Sequence, residues 1–151
     1  MIKKHIIRSL PILLAIVSLI FIILNYQNGH RLNSLQMKID DEVQSNLSTL
    51  EHNLSKVDAA SFKSSLLLIR EATSKLVAVA SLSSYNNQQN GVTLSSVFML
   101  LEQILRNADI SGVSITQDQL MQLEDLIKLL SSDPGNQDLI FKLHNLIVTI
   151  D

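Results

Sequence analysis

Four histidines, fourteen acidic side chains and many serines are the groups in this 151-residue chain that could do chemistry. A metal site on helices needs His and carboxylate ligands three or four positions apart, so that they share one face. His5, His30, His52 and His144 are too scattered for that, and none belongs to an HExxH or ExxH pattern. His52 follows Glu51 on a stretch that reads as a solvated helix face. His144 sits among Leu143, Asn145 and Leu146, where the polar side of an amphipathic helix is expected. Asp40-Asp41-Glu42 and Glu124-Asp125 are local acidic groups, but neither lies in the glycine-containing, oxygen-rich loop that calcium requires. Both read as solvated surface.

Nucleophilic and phosphate chemistry find no better support. No serine stands in GxSxG or SxxK, and there is no glycine-rich phosphate loop. The absence of cysteine removes disulfides, thiolate metal ligands and a cysteine nucleophile. Asn46-Leu47-Ser48 and Asn53-Leu54-Ser55 match a glycosylation sequon, a pattern short enough to arise by composition in a serine-rich chain. The residues therefore predict no catalytic, cofactor-binding or metal site, and a protein that is not an enzyme.

Composition narrows the class further. Aromatic residues make up 4% of the chain and tryptophan is absent, which disfavours stacking platforms for sugars and cofactors. Four Gly and two Pro leave little turn chemistry for a β architecture, so an all-α fold is expected. From residue 32 onward eight Lys and Arg face fourteen Asp and Glu, a balance of about −6. That argues against the clustered basic surface on which nucleic-acid binding depends, and against an extended basic surface for anionic lipid.

The elements that position these groups begin with an apolar run. Leu10 to Leu24 contains one polar residue, Ser18, and is preceded by Lys3, Lys4, His5 and Arg8. A hydrocarbon core about 30 Å thick needs about 20 residues of helix. The run reaches that range when Ile6 and Ile7 are included and Arg8 snorkels back to the headgroups. Pro11 falls near the start of the run, where a missing amide donor costs least. Tyr26 falls where an interfacial aromatic is expected. Asn25-Tyr26-Gln27-Asn28 offers no small-x-small cleavage site, which favours an uncleaved signal anchor over a removed signal peptide. A buried core helix fits poorly with an all-apolar segment at a basic N-terminus. The expected organisation is a cytoplasmic tail over 1–5, a transmembrane signal anchor over 6–26, a helical stalk over 31–60 and a helical bundle over 61–151. The basic flank puts the N-terminus in the cytoplasm and the bulk of the chain outside it, in the cell membrane.

Beyond the anchor, neither Gly nor Pro occurs from Leu32 to Ser83. Leu32, Leu35, Ile39 and Val43 lead into Val43, Leu47, Leu50, Leu54 and Val57, whose alternating steps of four and three form a coiled-coil-like seam. The seam slips near Asp58-Ala59-Ala60 and resumes at Phe62, Leu66, Ile69, Thr73, Leu76 and Ala80. One long amphipathic helix, about 75 Å if unbroken, follows from this pattern, with a hinge allowed at Gly29. Leu66-Leu67-Leu68-Ile69 is apolar on every side and predicts cover from other helices or another subunit.

A polar stretch ending in Asn90-Gly91 predicts a loop. Three short helices follow. Thr93 caps the first, over 94–106, with a connection from Asn107 to Ile115. Thr116-x-x-Gln119 makes a capping box for the second, to Leu130. Asp133 and Pro134 start the third, to about Thr149. Packed against residues 62–82, these three make a small bundle.

The function expected from this architecture is protein–protein contact by a single-pass, membrane-anchored helical subunit of the cell envelope, structural or assembly in kind. Leu47, Leu50, Leu54 and Val57 form the candidate interaction seam, with homodimerisation as its simplest use. The other reading is an extracytoplasmic helical sensory or ligand-binding domain signalling through a partner. A cavity lined by polar groups inside the bundle distinguishes the second from the first.

Overall fold

In a computed structural model the backbone is described for residues 2–57, 62–87, 91–111 and 115–150, and the side chains for 18–57, 62–87, 91–108 and 115–150. The described residues form five α-helices and no strand: α1 Ile2–Leu54, α2 Phe62–Ala80, α3 Leu94–Ser111, α4 Gln117–Ser132 and α5 Gln137–Val148. The chain divides into two units, residues 1–37 and 38–151.

In the first unit, α1 runs without a break through Pro11 and Gly29, so Pro11 is interior rather than near a helix start and the hinge at Gly29 does not form. Every described side chain from Ser18 to Leu35 is exposed. Among the described residues, no helix is long and apolar enough to cross a membrane. The cytoplasmic tail over 1–5 and residues 6–17 of the expected span lie outside the residues with described side chains. The remainder, Ser18 to Tyr26, rises only about 14 Å.

The second unit is a helical bundle built on one core, to which the last part of α1 contributes Val43, Leu47, Leu50 and Leu54. The single helix expected over 32–83 is instead two. After Leu54 the chain turns, with the Val57 amide donating to the Leu54 carbonyl at 3.0 Å and the Ser55 hydroxyl to the His52 carbonyl at 3.0 Å. The physical reason is burial: two apolar stripes on one straight helix would both face water, whereas a break lets each enter the same core. The Asn53 side-chain amide then reaches the Leu68 carbonyl of α2 at 3.2 Å. The start of the expected stalk thus falls in the first unit, and residues 38–57 fall in the bundle.

Along α2 the buried positions are Phe62, Leu66, Ile69, Ala72, Thr73, Leu76 and Ala80, the stripe that the spacing predicts with Ala72 added. Thr73 is buried without penalty because its hydroxyl donates to the Ile69 carbonyl at 2.9 Å. Helix α2 lies beside α3, α4 beside α5, and α3 against α5. Near the start of α4, Gln119 donates to the Thr149 carbonyl just past the end of α5, at 3.3 Å, so α4 and α5 run antiparallel.

Helix ends follow local side chains. The Thr93 hydroxyl accepts from the Ser96 amide at 3.1 Å, and the Ser96 hydroxyl accepts from the Thr93 amide at 2.9 Å, a reciprocal cap. The box at Thr116 and Gln119 forms as its spacing requires. Two ends differ from expectation. Helix α3 continues to Ser111, five residues past Arg106, with Ala108 buried. The N-cap of α5 is Asn136, whose side chain accepts from the Leu139 amide at 3.2 Å, while Asp133 closes α4. Pro134 and Gly135 form the turn between them, because a cap at Asn136 satisfies the first amides of α5 after the turn is complete.

Candidate interaction surface

Several polar groups of the bundle join one element to another. Asp40 accepts from the Ser84 amide at 2.8 Å and from the Ser84 hydroxyl at 2.6 Å, joining α1 to the α2–α3 connection. In that connection, Gly91 takes φ +80°, a backbone state that glycine adopts without strain. Asn86 accepts from the Ser95 amide at 3.0 Å, fastening the connection to the first turn of α3. Gln44 donates to the Ser131 carbonyl at 3.2 Å, tying α1 to the end of α4. Half-buried Tyr85 packs against the core near Gly135. Burial first, and then the charges of Asp40, Asp41 and Asp133, raise its phenol above the ordinary value. On α2, exposed Lys75 bonds Glu71 at 2.8 Å and holds that carboxyl below its ordinary value.

The candidate seam occupies a different place from the one its spacing suggests. Leu47, Leu50 and Leu54 are 0% exposed and Val57 is 9% exposed, all within the chain's own core. A seam of this period identifies the face that must be covered, but not the helix that covers it. Here the cover is intramolecular, so these four residues offer no free surface to a second copy.

The histidines stay apart. His52 is exposed at the end of α1, and His30 stacks edge-on against Tyr26 with ring centroids 4.4 Å apart. His144 is half-buried and parallel to Phe141, at 6.5 Å, and its Nδ1 is buried without a hydrogen-bond partner. The side chain of His5 lies outside the described residues. Among the described residues, no group of three His, Asp or Glu side chains converges on a point that could hold a metal. Of the two sequon asparagines, Asn46 has a buried side-chain nitrogen and Asn53 is bonded to Leu68.

Several large apolar side chains are also exposed. Leu19, Ile20, Phe21, Ile22, Ile23 and Leu24 are 47–67% exposed in six consecutive positions, covering the full circumference of the helix. Sequence reasoning identifies this segment directly from its hydropathy. In the second unit, Leu67 is 73% and Leu68 55% exposed, while their neighbours Leu66 and Ile69 are buried. The turn expected to be covered on all sides is therefore covered on one. Met99, Met121, Leu129, Phe141 and Val148 are exposed on the later helices. An open groove between α4 and α5 has Leu126 and Leu146 in its lining, with Asp125 and Lys142 among the polar groups.

No known family model, curated protein or solved structure matches this chain.

Proposed function

We propose that this protein is a single-pass, membrane-anchored helical subunit of the cell envelope, acting through protein–protein contact in a structural or assembly role. The observation that carries the reading is the exposed belt from Leu19 to Leu24. Leaving one such side chain in water rather than in an apolar medium costs about 1.5–3 kcal/mol, and a continuous belt multiplies that cost. Lipid removes it. The sequence extends the apolar segment N-terminally to Ile6, giving the length that a bilayer needs. Lys3, Lys4 and Arg8 favour a cytoplasmic N-terminus, with the acidic bundle on the other side.

The interaction role rests on the distribution of side chains in the bundle. Several of its polar residues cap helices and fasten loops, while Leu67, Leu68, Met99, Met121, Leu129 and Val148 are large apolar side chains left exposed. This arrangement favours recognition of a surface over turnover of a substrate.

The test is extraction of membranes carrying the full chain at alkaline pH in carbonate. The protein should remain in the pellet, and the double substitution Ile20→Asp, Ile22→Asp should release it with the bundle still helical. Recovery of the unaltered chain in the supernatant with its bundle folded would overturn the anchor.

A further inference from the structure

We infer that the stretch of α1 just beyond the apolar belt, Asn25 to Leu35, is a seat for the phosphate headgroups of anionic phospholipids. The inference rests on the membrane reading above and adds a lipid class to it. Three observations carry it.

The first is the charge pattern. No acidic residue precedes Asp40, while Lys3, Lys4, Arg8 and Arg31 lie in the first unit and all fourteen acids lie in the second. Around Arg31 nothing nearby in sequence neutralises its charge, and its side chain is exposed.

The second is depth. Arg31 lies about 10 Å of helix beyond Leu24, and a headgroup layer is about 5–8 Å thick. Helical side chains lean toward the N-terminus, so the guanidinium of Arg31 reaches back toward that layer. Tyr26, 70% exposed, lies between the two, at the level where interfacial aromatics collect.

The third is shape. Gly29 has no side chain and nothing within 4 Å of where a Cβ would be, which leaves a hollow lined by Asn25, Tyr26, His30 and Asn33. An adjoining hollow is lined by His30, Arg31, Ser34 and Leu35. Donors from Asn, His, Arg and Ser thus border two shallow, open depressions on one short stretch of helix. Arg offers a planar fork that matches phosphate oxygens. The occupant is a lipid rather than an acidic protein segment because the Leu19–Leu24 belt, one turn away, would stand among that lipid's acyl chains.

Native mass spectrometry of the full chain in neutral micelles, titrated with phosphatidylglycerol and with phosphatidylcholine, tests the inference. Lys3, Lys4 and Arg8 contribute to any anionic preference, so the reading is the change between variants. Arg31→Gln should lower the preference for phosphatidylglycerol about fivefold, the effect of one basic residue at a membrane surface. Lys38→Gln, outside both hollows, should leave it within about twofold of the unaltered chain on the same scale. An Arg31→Gln protein with unchanged preference overturns the inference. So does inorganic phosphate competing as well as the lipid, which would make the hollow a soluble-anion site. A chain that resists carbonate extraction but shows no dependence on Arg31 loses only the headgroup seat. A chain that carbonate releases loses the anchor as well.

Discussion

The carboxylate of Asp40 holds both the amide and the hydroxyl of Ser84, at 2.8 and 2.6 Å, across 44 positions of sequence. One side chain on α1 thereby fixes the start of the connection that leads into α3. The neighbouring acids Asp41 and Glu42 are exposed.

Asp40→Ala should therefore destabilise the bundle by about 1–3 kcal/mol, the cost of losing a charge-assisted pair of hydrogen bonds, with partial exposure favouring the lower end. Asp41→Ala should change stability by less than about 0.5 kcal/mol. Urea unfolding of the two variants checks this, and equal midpoints would remove the special role of Asp40.

Burial of the seam gives a second prediction. Leu50→Ala should cost about 2–5 kcal/mol, whereas Leu67→Ala on the same scale of measurement should stay within about 0.5 kcal/mol. The same burial means that Leu50→Cys should form no intermolecular disulfide in membranes while the protein remains folded. Efficient crosslinking at that position would restore the seam as a pairing surface between copies.

Much of the fold is legible in the sequence, and the exceptions have physical causes. Periodicity marks Phe62, Leu66, Ile69, Leu76 and Ala80 as one face, and that face is buried. It also marks Leu47, Leu50 and Leu54, but a period cannot say whether the covering helix belongs to the same chain. The break after Leu54 is hard to read because no Gly or Pro marks it. The one signal is the slip of the seam at Asp58-Ala59-Ala60, which reads equally as a change of register in a continuous helix. At α5, Asp133-Pro134 resembles a helix start, yet a turn intervenes and Asn136 takes the cap. The exposed belt was legible outright, since six adjacent apolar residues cannot all face a core on one side of a helix.

That cap supplies a third prediction. Asn136→Ala should cost about 1 kcal/mol, and Asn136→Ser should retain most of the stability because serine caps equally well and sets no second carboxylate beside Asp133. Thermal unfolding of both variants decides the matter, and an Asn136→Ser protein as unstable as Asn136→Ala would contradict the assigned cap.

Alkaline pH provides a fourth. The phenol of Tyr85 is raised above its ordinary value of 10.0, so in the unfolded chain it ionises at lower pH than in the fold. The folded state then binds more protons above about pH 10, and stability falls as pH rises through that region. Below the ordinary value the contribution is fully present. Tyr85→Phe should flatten this alkaline loss, and Asp133→Asn should shift the onset of phenol ionisation to lower pH. Absorbance titration near 295 nm in a Tyr26→Phe background, where Tyr85 is the one tyrosine left, reads the second effect. An unmoved onset would mean that the Asp133 charge does not act on Tyr85.

The membrane anchor is the central claim, and the absence of cysteine from the chain makes it directly measurable. Single cysteines at Ile20, Ile22, Leu35 and Met37 can be probed in intact membranes with a membrane-impermeant maleimide. Ile20→Cys and Ile22→Cys should stay unlabelled until detergent dissolves the bilayer, while Leu35→Cys and Met37→Cys should label from the extracytoplasmic side. Labelling of Ile22→Cys as fast as Leu35→Cys in intact membranes would place the belt in water and contradict the account.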